Sequence, residues 1–527
     1  MTARAIMVQG TGSGVGKSTI VAALCRILHQ EGYRVAPFKA QNMALNSFAT
    51  VDGREMGRAQ VVQAEAAGIL PRVEMNPILL KPNSDTGSQV VVMGKAIGNM
   101  TAQEYFRRRG ELLEVISKAY QTLSEDFDII IIEGAGSPAE INLKDKDMVN
   151  MKTAEMARAP VILVTDVDKG GAFAWVIGTM ELLTTAERAR VCGFIFNKFR
   201  GDPSLIRPGL DMLESRTGLP VLGLVPFLPA LRIDEEDSTC LDEGSRVQRF
   251  KGLKAQGLKS SNRADIDIAV VRLPRISNFS DFNALEREPG VRVRYVETAE
   301  SMGSPDLAIL PGTKSTMTDL IYMRERGLEK GLRSLAQTGT PVVGICGGFQ
   351  MLGRDIRDPH HVESHHDSIE GLGLLDTTTT FLPTKATYQV RAEMLDSTLP
   401  FFVKGHLNGY EIHMGITEGS SSPFLKVTER SGERVEVMDG AVGNNGQILG
   451  TYLHGLFDND SFRAGFLGHL RNKKGIAPTN TRRLKPAATH LNFQRSREED
   501  YNRLAEAVRG SLRMGLIYKA IGLHKME

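Results

Sequence analysis

The chain has 527 residues, 41% of them hydrophobic and 24% charged, and 64 Lys and Arg nearly balance 62 Asp and Glu, for a formal net charge of +2. That balance excludes a strong electrostatic pull toward nucleic acid or an anionic membrane surface. No apolar stretch approaches the roughly 18 residues that span a bilayer, and the four cysteines (Cys25, Cys192, Cys240 and Cys346) form neither a CxxC pair nor a disulfide framework, which fits a reducing compartment. The expectation is a soluble, cytoplasmic protein with no nucleic-acid partner and no membrane insertion.

The first residues run through one short apolar segment straight into a glycine-rich loop, unlike a secretory signal. Short Val- and Ile-rich runs then recur at Ala5–Val8, Asp128–Ile132, Val161–Thr165, Val191–Phe196, Ile266–Val271, Leu307–Leu310 and Val342–Ile345. Each ends in Gly, Pro or a polar cluster, and longer amphipathic segments separate them, so they read as buried parallel strands alternating with helices. The predicted class is α/β, with two domains each built on a mostly parallel sheet flanked by helices. Residues 1–240 form the first domain. The polar stretch 241–264 lacks a strand signal and reads as a linker, and residues 265–470 form the second domain. Residues 471–527 make a basic C-terminal segment, helical from about Ser496.

Residues 10–19 read GTGSGVGKST between the strand AIMVQ and the helical pattern IVAALCRIL. Strand, glycine-rich loop, Gly-Lys-Ser and helix together make a phosphate-binding loop. Gly10, Gly14 and Gly16 let backbone N–H groups turn inward, and the helix N-terminus adds partial positive charge. Lys17 is placed to reach the β- and γ-phosphates, with Ser18 and Thr19 following it and the Ser18 hydroxyl suited to Mg²⁺. Position 11 is Thr where the strict motif has Gly, so the loop is one residue longer than usual. This longer loop resembles that of dethiobiotin synthetase.

Further strand ends supply polar groups. Glu133, closing the run DIIIIE, is a candidate Mg²⁺ ligand, its alternative being a helix-capping carboxylate. Asp166, a second candidate for the metal, and Asp168 close the next run, at the edge where open α/β sheets bind ligands. Asn197 and Lys198 read either as a contact to the nucleotide base or as a polar loop pair. Lys39, in PFKAQNMALNS, is either an anion clamp for substrate or phosphate or a solvated surface lysine.

In the second domain, residues 341–353 read PVVGICGGFQMLG. Cys346 sits between a β-run and a helix in the form G-x-C-x-G, the cysteine counterpart of a nucleophile elbow. The helix N-terminus favours thiolate, and the Gly347 N–H is placed to stabilise an oxyanion. His454, in GTYLHGLF, is the candidate base, and Gly312, in the turn LPGT, offers the second oxyanion donor. This pattern resembles a class I glutamine amidotransferase. That family usually carries Glu two residues after the His; here the residue is Leu456, and Glu411 and Asp458 are the candidate substitutes. HHVESHHD at 360–367 has a metal-like composition but reads as a surface loop. GYEIHMG at 409–415 reads equally as an active-site lining or a core strand.

Together the segments GTGSGVGKS, PFKAQNMALNS, EGAGSPAEINL, VTDVDKGGAFA, FNKFRGD, RIDEEDS, ISNFSDFNAL, GICGGFQMLG, GYEIHMG and YLHGLF resemble the cobyric acid synthase family over essentially the whole chain. The resemblance implies ATP and Mg²⁺ as cofactors, glutamine as ammonia donor, and a corrinoid substrate, adenosylcobyrinic acid a,c-diamide, amidated at its b, d, e and g carboxylates. The neighbouring possibility is the cobyrinic acid a,c-diamide synthases, which share both modules. From another class, a P-loop ATPase switch protein would carry a signature Lys at the position of Gly12.

Overall fold

The computed structural model describes residues 3–83, 87–228, 231–234, 265–476 and 491–523. The linker 241–264, Cys240 and residues 477–490 of the basic segment lie outside the described residues.

The first sheet is wholly parallel, in the order Val221–Pro226, Val191–Phe199, Val161–Asp166, Arg4–Gly10, Ile129–Glu133, Val35–Phe38. Its inner strands are buried on both faces, which is why their sequences are continuous rather than alternating apolar runs. Strand order grows in both directions from Arg4–Gly10, so the carboxyl edge beside that strand is a topological switch point. Gly10, Glu133, Asp166 and Asn197 all come to that edge. The two strands that the sequence reading passed over, Val35–Phe38 and Val221–Pro226, lie at the sheet's edges.

Between Phe38 and Thr101 the chain leaves this sheet and builds a small four-stranded one from Gln41–Met43, Ile78–Pro82, Gly87–Val92 and Lys95–Thr101. This sheet faces the second domain. The second domain has its own central sheet, ordered Val291–Val296, Ile266–Val271, Leu307–Leu310, Val342–Ile345, Ile448–Thr451, with Ala441–Gly443 antiparallel at the edge. A further, mostly antiparallel sheet adds the long hairpin Thr377–Met394 and His406–Gly419. Its residues reach back to the first domain: Phe48 packs on Tyr410 at 4.9 Å, and Gln389 Nε2 donates to the Ala49 carbonyl.

The basic segment has a use that composition did not reveal. A helix runs from Phe493 to Ser511, starting three residues before the expected position because the Asn492 side chain caps it, accepting from the Arg495 N–H at 2.8 Å. This helix returns to the first domain and lies along the helix Lys17–Gln30 that follows the phosphate loop. Tyr501, Leu504, Ala505 and Val508 join one apolar core with Ile20, Val21, Leu24 and Leu28. Burial of Leu504 and Val508 contributes roughly 1.5–3 kcal/mol each, and Arg26 pairs with Glu498 at 2.7 Å.

Candidate active sites

The phosphate loop takes its shape from close packing as much as from glycine flexibility. A Cβ on Gly10 would lie 2.6 Å from Val15 Cγ2. Gly16 has φ +96°, and a Cβ there would lie 2.1 Å from Asn197 Nδ2. Asn197 therefore works on the loop itself: its Nδ2 donates to the Val15 carbonyl at 2.9 Å. Lys198 Nζ donates to the Gly14 carbonyl at 2.6 Å and pairs with Asp166 Oδ2 at 2.9 Å. Lys17 Nζ reaches the carbonyls of Gly12 and Gly136, at 3.0 and 3.1 Å. Thr19 lines the same cavity, of about 1310 Å³, together with Gly14, Gly16, Lys17 and Ser18.

At the next strand end, Glu133 gathers the Ser18 hydroxyl at 2.8 Å, Lys39 Nζ at 3.0 Å and the Gln63 amide. Burial alone would raise this carboxyl, but Lys39, the Gln63 hydrogen bond and Lys17 outweigh it and hold Glu133 below its ordinary value. Lys39 is thus no solvated surface lysine; it is 5% exposed and ion-paired. Ser18 and Glu133 together present hard oxygen donors, the chemistry that suits Mg²⁺.

The second site is built around the turn at Cys346, whose φ of 52° and ψ of −113° place a non-glycine residue in sparsely populated territory. Two neighbours make the turn possible: a Cβ on Gly348 would lie 1.9 Å from the Leu310 carbonyl oxygen, and one on Gly347 would lie 2.9 Å from Thr313 Cγ2. The turn carrying Gly312 is thereby pressed against the elbow. Gly312 also faces His454, since its Cβ position is 3.3 Å from His454 Cε1.

His454 is 1% exposed, and its Nδ1 lies 2.7 Å from Asp281 Oδ2, leaving Nε2 for Cys346. Asp281 Oδ1 accepts from the Gly455 N–H at 3.0 Å, so one carboxylate fixes both the ring and its backbone. Burial disfavours the imidazolium, but Asp281 and the hydrogen bond with Cys346 outweigh it and lift His454 to about 10. Neither expected substitute plays this part. Glu411 pairs with Arg430 at 2.9 Å, and Leu456 is core. Asp458, half-buried, makes no hydrogen bond to the ring nitrogen that Asp281 holds, and desolvation with the nearby Asp281 charge raises its carboxyl well above the ordinary value.

Both halves match known families. Residues 6–240 match the CobQ/CobB/MinD/ParA nucleotide binding domain, and residues 267–462 match the CobB/CobQ-like glutamine amidotransferase domain. The chain is 51% identical to a cobyric acid synthase of Moorella thermoacetica, over 99% of this chain and 98% of that one. It is 51% identical to that of Pelotomaculum thermopropionicum, over 99% and 97%, and 50% identical to that of Sorangium cellulosum, over the full length of both. The chain belongs to the cobyric acid synthase family.

In this member of the cobyric acid synthase family the two sites share a wall. Consecutive residues of one strand face different cavities: Pro82 lines the nucleotide cavity, and Lys81 lines the cavity of Cys346 and His454. Phe279 and Asn278 divide in the same way. The wall is charged but satisfied, with Glu55 pairing with Lys81 at 2.7 Å and with Lys385 across the domain boundary at 2.5 Å. The Ser47 N–H donates to Asn278 Oδ1 at 3.0 Å, so the first domain braces the segment that carries Asp281.

Sequence reasoning missed Asp281 and this wall. Asp281 lies 173 residues from His454, in a 3₁₀ turn with no helical or strand period; its only signal was membership of the segment ISNFSDFNAL. The run 360–367 lies largely on the surface, as expected, and no cluster of three or more metal-binding side chains occurs among the described residues. Its Glu363 is the exception and turns into the Cys346 cavity. From GYEIHMG, Ile412, His413 and Met414 line that cavity too. Cys25, Cys192 and Cys346 are free thiols. No helix among the described residues is long and apolar enough to cross a membrane.

Proposed function

We propose that the protein is a cytoplasmic glutamine-dependent amidoligase that converts the b, d, e and g carboxylates of adenosylcobyrinic acid a,c-diamide to amides. The observation that carries this reading is a Cys346–His454–Asp281 site one layer of side chains away from a phosphate-loop cavity, in a chain about half identical to cobyric acid synthases from end to end.

The chemistry runs in two places. At the phosphate loop, Lys17 and the loop N–H groups orient ATP so that its γ-phosphoryl passes to a substrate carboxylate, making an acyl phosphate with a good leaving group. Ser18 and Glu133 are the residues that would hold Mg²⁺, with Asp166 lining the same cavity, and the ion would supply charge neutralisation for the phosphates. At the elbow, the Cys346 sulfur attacks the side-chain amide of glutamine. The Gly312 and Gly347 N–H groups face the developing oxyanion, and His454 gives the leaving ammonia its proton. Water later hydrolyses the γ-glutamyl thioester. Ammonia passes, shielded from bulk water, to the nucleotide cavity, attacks the acyl phosphate and displaces phosphate. Gly12, open on its Cβ side, stands where switch ATPases carry their signature Lys, which favours the synthetase over the switch reading.

The test is mass gain on the corrinoid a,c-diamide with MgATP and either glutamine or ammonium. The wild type should add an amide at each of b, d, e and g with either donor, and Cys346→Ala with ammonium only. A corrinoid that gains nothing from either donor refutes the substrate assignment. Amidation of cobyrinic acid at a and c instead makes the protein the related diamide synthase.

A further inference from the structure

The cavity of Cys346 contains two charged groups that hydrolysis of an amide does not use. Lys314 follows the Gly312 turn by two residues, and its backbone is pinned by a hydrogen bond from its N–H to the Arg275 carbonyl at 3.0 Å. Lys314 lines the cavity, and its ammonium has no hydrogen bond or ion pair among the described residues. Glu363 lines the same cavity, on the loop 358–367. That loop is folded around Asp358, whose carboxylate accepts the N–H groups of Val362, Glu363 and Ser364 at 2.8–2.9 Å.

Glu363 is incompletely satisfied. Its carboxylate accepts from the Met317 N–H at 3.3 Å and lies 3.4 Å from the Thr316 hydroxyl, both long contacts. The Thr316 hydroxyl has one hydrogen and a nearer acceptor in Gln350 Oε1, at 3.1 Å. Lys314 and Glu363 attract each other, but no ion pair within 4.0 Å joins them. The other lysines lining the cavity, Lys81 and Lys385, are already committed to Glu55, and His454 to Asp281.

Two opposite charges with no ion pair between them, beside a nucleophile, match a zwitterion whose reactive amide lies a short chain away. We propose that Lys314 and Glu363 are the specificity determinants for the α-amino acid head group of glutamine, Lys314 taking the α-carboxylate and Glu363 the α-ammonium. The inference rests on the glutaminase reading of Cys346. Desolvation pushes Glu363 up to about 7, against the pull of Lys314, and pushes Lys314 below its ordinary range, against the pull of Glu363. A bound head group gives each a counter-charge in direct contact.

The test compares ammonia release from L-glutamine, from glutaramate, which lacks the α-ammonium, and from 4-aminobutanamide, which lacks the α-carboxylate. In the wild type each truncated amide should lose roughly 10-fold or more in kcat/KM, the worth of one charge-assisted hydrogen bond. Glu363→Gln should raise KM for glutamine by a similar factor and leave glutaramate unchanged. Lys314→Met should do so while leaving 4-aminobutanamide unchanged, and Lys314→Arg should restore most of the loss. A wild type that accepts either truncated amide as well as glutamine overturns the proposal without needing any variant. Equal losses on all three substrates in both variants overturn it as well. A wild type that releases no ammonia from glutamine sinks the glutaminase reading itself, and this proposal with it.

Discussion

Replacing Asp281 with Asn tests the catalytic assignment most directly, because the change is nearly isosteric and its consequence follows from two hydrogen bonds. Asp281 uses one oxygen for His454 Nδ1 at 2.7 Å and the other for the Gly455 N–H at 3.0 Å. Asn has a single acceptor oxygen. If that oxygen keeps the Gly455 N–H, the amide N–H₂ faces Nδ1 and forces it to accept. Nε2 then carries the ring proton in the neutral form, so the ring no longer accepts a proton from Cys346. Loss of the buried charge-assisted bond alone is worth about 1.5–3 kcal/mol, and the wrong tautomer in a comparable triad costs up to ~10⁴ in rate. Glutamine-dependent amidation by Asp281→Asn should therefore fall by roughly 10²–10⁴ in kcat. Ammonium-dependent amidation should stay at the wild-type rate, since the phosphate-loop site is untouched. Corrinoid mass gain with each nitrogen donor reads both. A glutamine-dependent rate within about threefold of wild type would refute the assignment of Asp281 as the group that orients His454. An equal fall with ammonium would show instead that the segment around Asp281 serves the synthetase domain.

Three other outcomes follow from the geometry. Glu133→Gln removes the carboxylate that pairs with the buried Lys39 ammonium at 3.0 Å, so it should lower stability by about 3–5 kcal/mol and depress amidation with glutamine and ammonium alike, read by denaturant melts and by mass gain. Gly348→Ala forces a Cβ to within 1.9 Å of the Leu310 carbonyl oxygen, a backbone atom that cannot swing aside. It should cost more than about 3 kcal/mol or abolish soluble expression, whereas Gly12→Ala, with open space at its Cβ, should leave stability within about 0.5 kcal/mol. The His454–Asp281 pair should also leave a signature in the pH dependence of stability. His454 is raised in the folded protein from 6.5 to about 10, so the folded state binds its proton more tightly than the unfolded chain. The resulting stabilisation is complete below pH 6.5 and is lost as pH rises through about 10. The Tm advantage of wild type over Asp281→Asn should accordingly shrink across that window; an advantage that grows with pH would contradict the pairing.

What the sequence determined by itself was local. The Val- and Ile-rich runs are strands because both faces of a parallel sheet are buried, so the seven runs from Ala5–Val8 to Val342–Ile345 could be recognised one at a time. The phosphate loop and the cysteine elbow were equally legible, because each needs small residues at fixed spacing around one reactive side chain, and that demand is written in consecutive positions. The tertiary structure decided everything that depends on distant segments meeting. Asp281 could not be singled out, since an orienting carboxylate needs only to reach His454 in space, and its own 3₁₀ turn has no periodic pattern. Glu411 and Asp458 were the nearer guesses because sequence proximity stood in for spatial proximity; Arg430 claims the first, and Asp281 rather than the second holds the ring nitrogen. Lys39 read either as an anion clamp or as a solvated surface lysine, and the sheet brings Glu133 within 3.0 Å of it. The basic segment looked like a tail because its apolar residues, Tyr501, Leu504, Ala505 and Val508, find their partners on the helix Lys17–Gln30, almost the whole chain away. Short-range chemistry is encoded at short range. A shared wall, a charge pair or a returning helix exists only once the chain has closed on itself.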